Sequence, residues 1–144
     1  MVPLIGSEMV QIDNFSIEVP SDCGTAKSDK HTKLMFYWPN GKSDDPDTML
    51  CFDIGKPVDR DAKETAEKFS KNWNGKITEE INLDGITGYH VVIKSEVRDM
   101  SPREAVILFN SNKAYLAILG SKAGAVNVDL LKVLSSWKWD VALP

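Results

Sequence analysis

"AVILFNSNKAYLAIL", Ala105 to Leu119, decides the fold class. Two apolar runs, Ala105–Phe109 and Ala114–Leu119, flank a short polar link. A strand with one face in water alternates apolar and polar residues, and these runs do not, so both faces of this part of the sheet are covered. Ser111-Asn112 is turn chemistry, and so short a link makes its two strands antiparallel neighbours. Strands over Arg103–Asn110 and Lys113–Gly120 are therefore the centre of an antiparallel sheet.

Reading outward, Lys76–Asn82 and Ile86–Ser95 are two more strands, joined through Leu83-Asp84-Gly85 and linked onward by Arg98–Pro102. Two helical stripes supply covers for the central strands. In the first, Asp61 and Glu64 resemble a capping box. Ala62, Ala66, Phe69 and Trp73 recur on one face, and Asn74-Gly75 is the stop. In the second, Asn127 caps a stripe of Leu130, Leu131, Leu134 and Trp137.

The N-terminal third reads as short strands. Val10–Ile12 and Phe15–Val19 flank a two-residue turn at Asp13-Asn14, and Pro20 ends the second strand. A polar linker spans Ser21–Thr32. In Lys33–Trp38, Leu34, Phe36 and Trp38 face one way, Met35 and Tyr37 the other. A turn from Pro39 to Asp47 leads to the answering strand Met49–Ile54. The order β-β-β-β-α-β-β-β-β-α predicts one α+β domain over residues 1–144, an antiparallel sheet of about six strands plus short edge strands, with helices on both faces.

The chain has 144 residues and net charge −4, with a pI near 5.2. A chain of this length buries roughly 68–70% of its unfolded surface, enough for a core without metals. The acidic balance excludes a phosphate-driven nucleic-acid binder and adsorption to anionic membranes. No apolar run approaches the roughly 20 residues of a bilayer span. The opening MVPLIGSEMV has neither a basic n-region nor a long apolar h-region, so no intact signal peptide is read. The location is cytoplasmic, or extracytoplasmic for a chain already trimmed of its leader.

Chemistry-bearing residues are sparse. The histidines, His31 and His90, fall in the polar linker and mid-strand. Cys23 near His31 can be drawn as a dyad, yet no helix N-terminus or oxyanion nest accompanies it. Both histidines are read as structural, and no nucleotide, zinc-protease or hydrolase motif is present. Cys23 and Cys51 are either a turn thiol and a small buried hydrophobe, or a bridge contributing about 3–4 kcal/mol. Asp44, Asp45 and Asp47 are the weak metal candidates, with oxygen ligands of the right type but no far-end bidentate Glu; the default is a solvated turn. No cofactor is expected.

An early Phe-Ser-Ile-x-Val-Pro-Ser-Asp strand (Phe15–Asp22), an aromatic hairpin (Lys33–Ile54), one helix (Asp61–Trp73), a turn of the form Asp-Gly-Ile-x-Gly-Tyr (Asp84–Tyr89) and a last helix running into an aromatic segment (Asn127–Trp139) resemble the Mog1/PsbP-like family over nearly the whole chain. The resemblance implies an α-β-α sandwich around an antiparallel sheet. It also implies a non-enzymatic role among extrinsic photosystem II subunits, Ran-binding proteins, bacterial extracytoplasmic relatives and secretion partners. No family binding motif maps residue by residue here, and the basic arm of the photosystem members is missing.

Two functions remain open. One is a non-enzymatic accessory domain binding another protein, with Met35, Tyr37 and Trp139 as anchors if they are exposed. The other is a small-ligand binder or enzyme with a pocket between sheet and helix, using His90, Asp53 or Tyr89.

Overall fold

The computed structural model describes residues 7–20, 24–28, 33–38, 48–93, 101–121 and 130–140, with side chains placed over 9–19, 49–93, 103–120 and 130–140. In chain order the elements are β1 (Ser7–Gln11), β2 (Phe15–Pro20), β3 (Gly24–Ser28), β4 (Lys33–Trp38), β5 (Thr48–Gly55), α1 (Ala62–Asn72), β6 (Gly75–Leu83), β7 (Ile86–Ile93), β8 (Ser101–Asn110), β9 (Lys113–Ser121), α2 (Leu130–Leu134) and β10 (Lys138–Trp139). Among the described residues, seven strands form one antiparallel sheet in the order β3-β4-β5-β9-β8-β7-β6. The others form a smaller sheet, β1-β2-β10. The fold is α+β with antiparallel sheets, and β8 and β9 stand inside the large one.

Turn chemistry sets the register. Ser111 and Asn112 both take positive φ (52° and 64°), as do Asp84 and Gly85 (49° and 95°). Consecutive left-handed residues match the twist of antiparallel strands, so each pair makes a tight hairpin. The first pairs Asn110 with Lys113 and the second Leu83 with Ile86.

One face of the large sheet carries the main core. Leu50, Phe52 and Ile54 of β5, Val106 and Leu108 of β8, and Tyr115, Ala117 and Leu119 of β9 pack against Phe15, Ile17 and Val19 of β2 and Leu130 and Leu134 of α2. The opposite face meets α1, whose Ala62 and Ala66 sit on Val91, Ile93, Ala105 and Ile107. Small residues on the helix allow the close approach.

Four expectations need correction. The polar linker contains β3, which pairs with β4 from Gly24↔Tyr37 to Ser28↔Lys33. An edge strand draws its order from its neighbour's backbone, so it needs no apolar alternation. The last helix is only five residues long. The Ser135 and Ser136 hydroxyls donate to the carbonyls of Lys132 and Val133 (2.6 and 3.1 Å), which ends the helix before Trp137. The principal cover on that face is therefore the small sheet. Trp73, expected in the core, is 39% exposed and caps α1 with its N–H on the Phe69 carbonyl (3.0 Å).

Finally, Asn74 (φ 53°), and not Gly75, takes the left-handed turn. Gly75 is required for space, since a Cβ there would lie 2.9 Å from the Val92 carbonyl oxygen. The start of α1 is as read: Asp61 Oδ1 accepts from the Glu64 N–H at 2.8 Å. The Glu64 carboxylate turns instead toward Arg60 and Lys68.

Candidate functional site: a cleft beside the first helix

The alternation of β5 divides its side chains between the two faces. Leu50, Phe52 and Ile54 enter the main core, leaving Met49, Cys51 and Asp53 for the face that carries α1. On β9 the matching set is Leu116 and Ile118, which the register places opposite Asp53 and Cys51. The helix lies across β6, β7 and β8. Where its flank meets β9 and β5, the sheet and helix diverge.

The result is a cleft of about 420 Å³ lined by Asp53, Lys56, Val58, Thr65, Phe69, Ile107 and Leu116, with Gly55, Ala114 and Tyr115 from the ends of β5 and β9. Its walls are mainly apolar. Phe69 is half-buried and stacks on Trp73, ring centroids 6.0 Å apart. Val58, on the loop entering α1, is 95% exposed.

That loop is tied to the helix. Asp59 receives hydrogen bonds from the Lys68 ammonium and the Thr65 hydroxyl. These two bonds hold the Asp59 carboxyl below its ordinary value, and the same pairing raises Lys68. The Thr65 Oγ1–Asp59 Oδ2 distance is 2.8 Å.

The expected site residues scatter. Asp53 lines the cleft. Tyr89 stands on the same face under α1, in one cross-sheet row with Ile107, Leu116 and Asp53, without reaching the cleft lining. His90 points to the opposite face. The register pairs Met35 with Cys51 and Tyr37 with Met49; their side chains lie outside the described set. Asp44, Asp45, Asp47, Cys23 and His31 also lie outside it, while Cys51 is half-buried. Trp139 is half-buried. Its indole N–H donates to the Leu83 carbonyl at 2.9 Å, and its ring meets Tyr115 and Trp137 edge-on at 5.1 Å each. Among the described residues no group of three or more His, Cys, Asp or Glu could hold a metal, and no helix is long and apolar enough to cross a membrane.

One polar network was not legible in the sequence. His90, 7% exposed, places Nε2 at 2.8 Å from Glu104 Oε1 and Nδ1 at 2.6 Å from Thr78 Oγ1. The other Glu104 oxygen accepts from the Leu130 N–H at 3.4 Å. Thr78 is the extra residue of a β-bulge between Ile77 and Glu79, and a bulge re-aims a side chain. With a carboxylate on Nε2, that nitrogen donates to Glu104, and the Thr78 hydroxyl also lies within reach of the His90 carbonyl at 3.3 Å. The spacing mimics a nucleophile–base–acid relay. However, its four partners tie β6, β7, β8 and α2 together, which is a structural task. Alternation shows which face His90 takes, but the bulge that delivers Thr78 follows from pairing.

No family model matches the chain, and no curated protein is similar to it at a meaningful level. Solved structures are similar in fold. The solution structure of cyanobacterial PsbP (CyanoP) from Synechocystis sp. PCC 6803 aligns with a TM-score of 0.60 and 16% identity, over 96% of this chain and 95% of that one. A crystal structure from Bacteroides thetaiotaomicron VPI-5482 aligns with a TM-score of 0.58 and 13% identity, over 89% of this chain; the chain spans 46% of that protein's length. The chain has a Mog1/PsbP-like fold.

Proposed function

We propose that this domain is a non-enzymatic accessory protein that binds another protein through the part of the large sheet lying beyond α1. The observation that carries the reading is the half-buried row Met49, Cys51, Leu116 and Ile118, on strands that α1 does not cross. Apolar side chains left half-exposed on a regular, rigid surface suit a protein partner. Met35 and Tyr37 extend this surface by register onto β4; methionine and tyrosine are enriched at interfaces. Likeness to CyanoP in fold supports the accessory role by analogy. The layer order, α1 on one face and the small sheet with α2 on the other, is read as a variant of the α-β-α sandwich.

Trp139 belongs to a different part of the surface, beside Leu83, so substitutions separate the two. Tagged protein is exposed to native extract, and enriched proteins are identified by mass spectrometry. A saturable partner lost in Met35→Ala/Tyr37→Ala and kept in Trp139→Ala is the expected result. Loss only in Trp139→Ala moves the interface to the other side. No enrichment of any protein over background defeats the binding reading.

A further inference from the structure

The α1 face of β5 and β9 runs out of side chains toward one end. Alternation puts Gly55 and Ala114 on that face with Asp53 and Leu116, and the two are paired across the strands. A Cβ at Gly55 would meet no atom within 4 Å, so this end of the face is open space. Interiors are packed to crystal density, and the gap of about 420 Å³ falls within the roughly 300–1,000 Å³ of small-molecule sites. Its apolar walls come from three elements: Phe69 of α1, Ile107 of β8 and Leu116 of β9. Ile107, Leu116 and Asp53 form one row across the sheet, which is the floor. The rim is the loop carrying Lys56 and Val58, and Asp59 fastens that loop to Thr65 and Lys68 of α1. The rim is thereby held beside the cleft and not folded into it.

The polar side chains of the lining leave nothing for a charged ligand to match. The Thr65 hydroxyl donates to Asp59 and the Tyr115 hydroxyl to Asn14. Asp53 has an interaction of its own, and Lys56 is exposed, with its ammonium in water. One acid and one base also give the lining no net charge. We propose that this cleft binds a small uncharged compound with an apolar ring system. The ring lies on Ile107 and Leu116 against the Phe69 side chain, in the space that Gly55 and Ala114 leave. Apolar burial and aromatic contact supply the affinity, and a charged group in the cleft would lose hydration without gaining a partner. The site needs no partner protein, so it stands apart from the protein-binding reading.

The test titrates the isolated protein with indole, tryptamine and indole-3-propionate, which share a ring and differ in charge. The methyl resonances of Ile107 and Leu116 report binding. Indole is expected to shift them saturably, and neither charged derivative to bind more tightly than indole. Gly55→Leu fills the open end and weakens indole about tenfold, while Phe69→Ala removes one wall and weakens it about threefold to tenfold. The space around Gly55 accepts a side chain, so its variant keeps the test valid even if Phe69→Ala fails to fold. Absence of a saturable shift with indole overturns the proposal, as does an unchanged indole affinity in Gly55→Leu or a charged derivative that binds more tightly than indole.

Discussion

The two faces of the large sheet are built from the same strands and finished differently. On one, Phe15 is fully buried and lies parallel to Trp137 with centroids 3.6 Å apart. Phe52, Tyr115 and Trp139 meet it edge-on at 5.6 to 5.8 Å. The Tyr115 hydroxyl donates to Asn14 (2.7 Å), and the Asp140 N–H to the Asn14 carbonyl (2.8 Å). Residues from the two ends of the chain close this side. On the other face, among the described residues, one eleven-residue helix lies across three strands, and Phe69 and the capping Trp73 stay partly in water. Among the described residues, one face is filled by aromatic packing and the other is covered by α1 over part of its width.

The largest expected break in this comparison is Phe15→Ala. Emptying the aromatic cluster costs about 3–5 kcal/mol, whereas Phe69→Ala, on the half-covered face, costs about 1–2 kcal/mol. Urea unfolding of both variants measures the gap; equal losses would mean that the two faces contribute alike.

A smaller effect sharpens the contrast by pH. Burial pushes the Tyr115 hydroxyl above its ordinary 10.0. The unfolded chain therefore releases this proton first. Stability falls as pH rises past the ordinary tyrosine value and levels off only beyond the raised one. Tyr115→Phe loses about 1 kcal/mol at neutral pH with the hydrogen bond and flattens the alkaline fall; thermal melts from pH 8 upward test both. An unchanged alkaline slope would reject Tyr115 as its source.

The smallest effect belongs to Trp73→Ala. At 39% exposure its removal changes stability by no more than about 0.5 kcal/mol, despite the helical stripe that assigned it to the core. A loss above 2 kcal/mol in the same urea measurement would show that the helix end is more deeply anchored than its exposure indicates.

Trp73 also marks where sequence reasoning stopped. Its spacing from Phe69 is helical, but Asn74 reverses the chain immediately afterwards, and periodicity carries no information about where a helix ends over a sheet. Trp137 shows the converse. Its spacing predicts a helix position facing the core, and it is buried, yet its burial comes from stacking on Phe15, more than a hundred residues away. The cleft was legible only as a pocket between sheet and helix with Asp53 among its residues. Tyr89 and His90, offered with it, fall under the helix and on the other face.

Local sequence determined the tight hairpins, the start of the first helix, the two-faced pattern of Lys33–Trp38 and the central place of Ala105–Leu119. Each depends on residues a few positions apart, where backbone preference and apolar period act directly. Tertiary structure alone decided that β5 joins β9, that Gly24–Ser28 becomes a strand, that Lys138-Trp139 completes a second sheet, and that the first helix stops short of β9 and β5. Those outcomes depend on which distant backbone satisfies an unpaired edge and which distant side chains fill a face, and no local pattern records that competition.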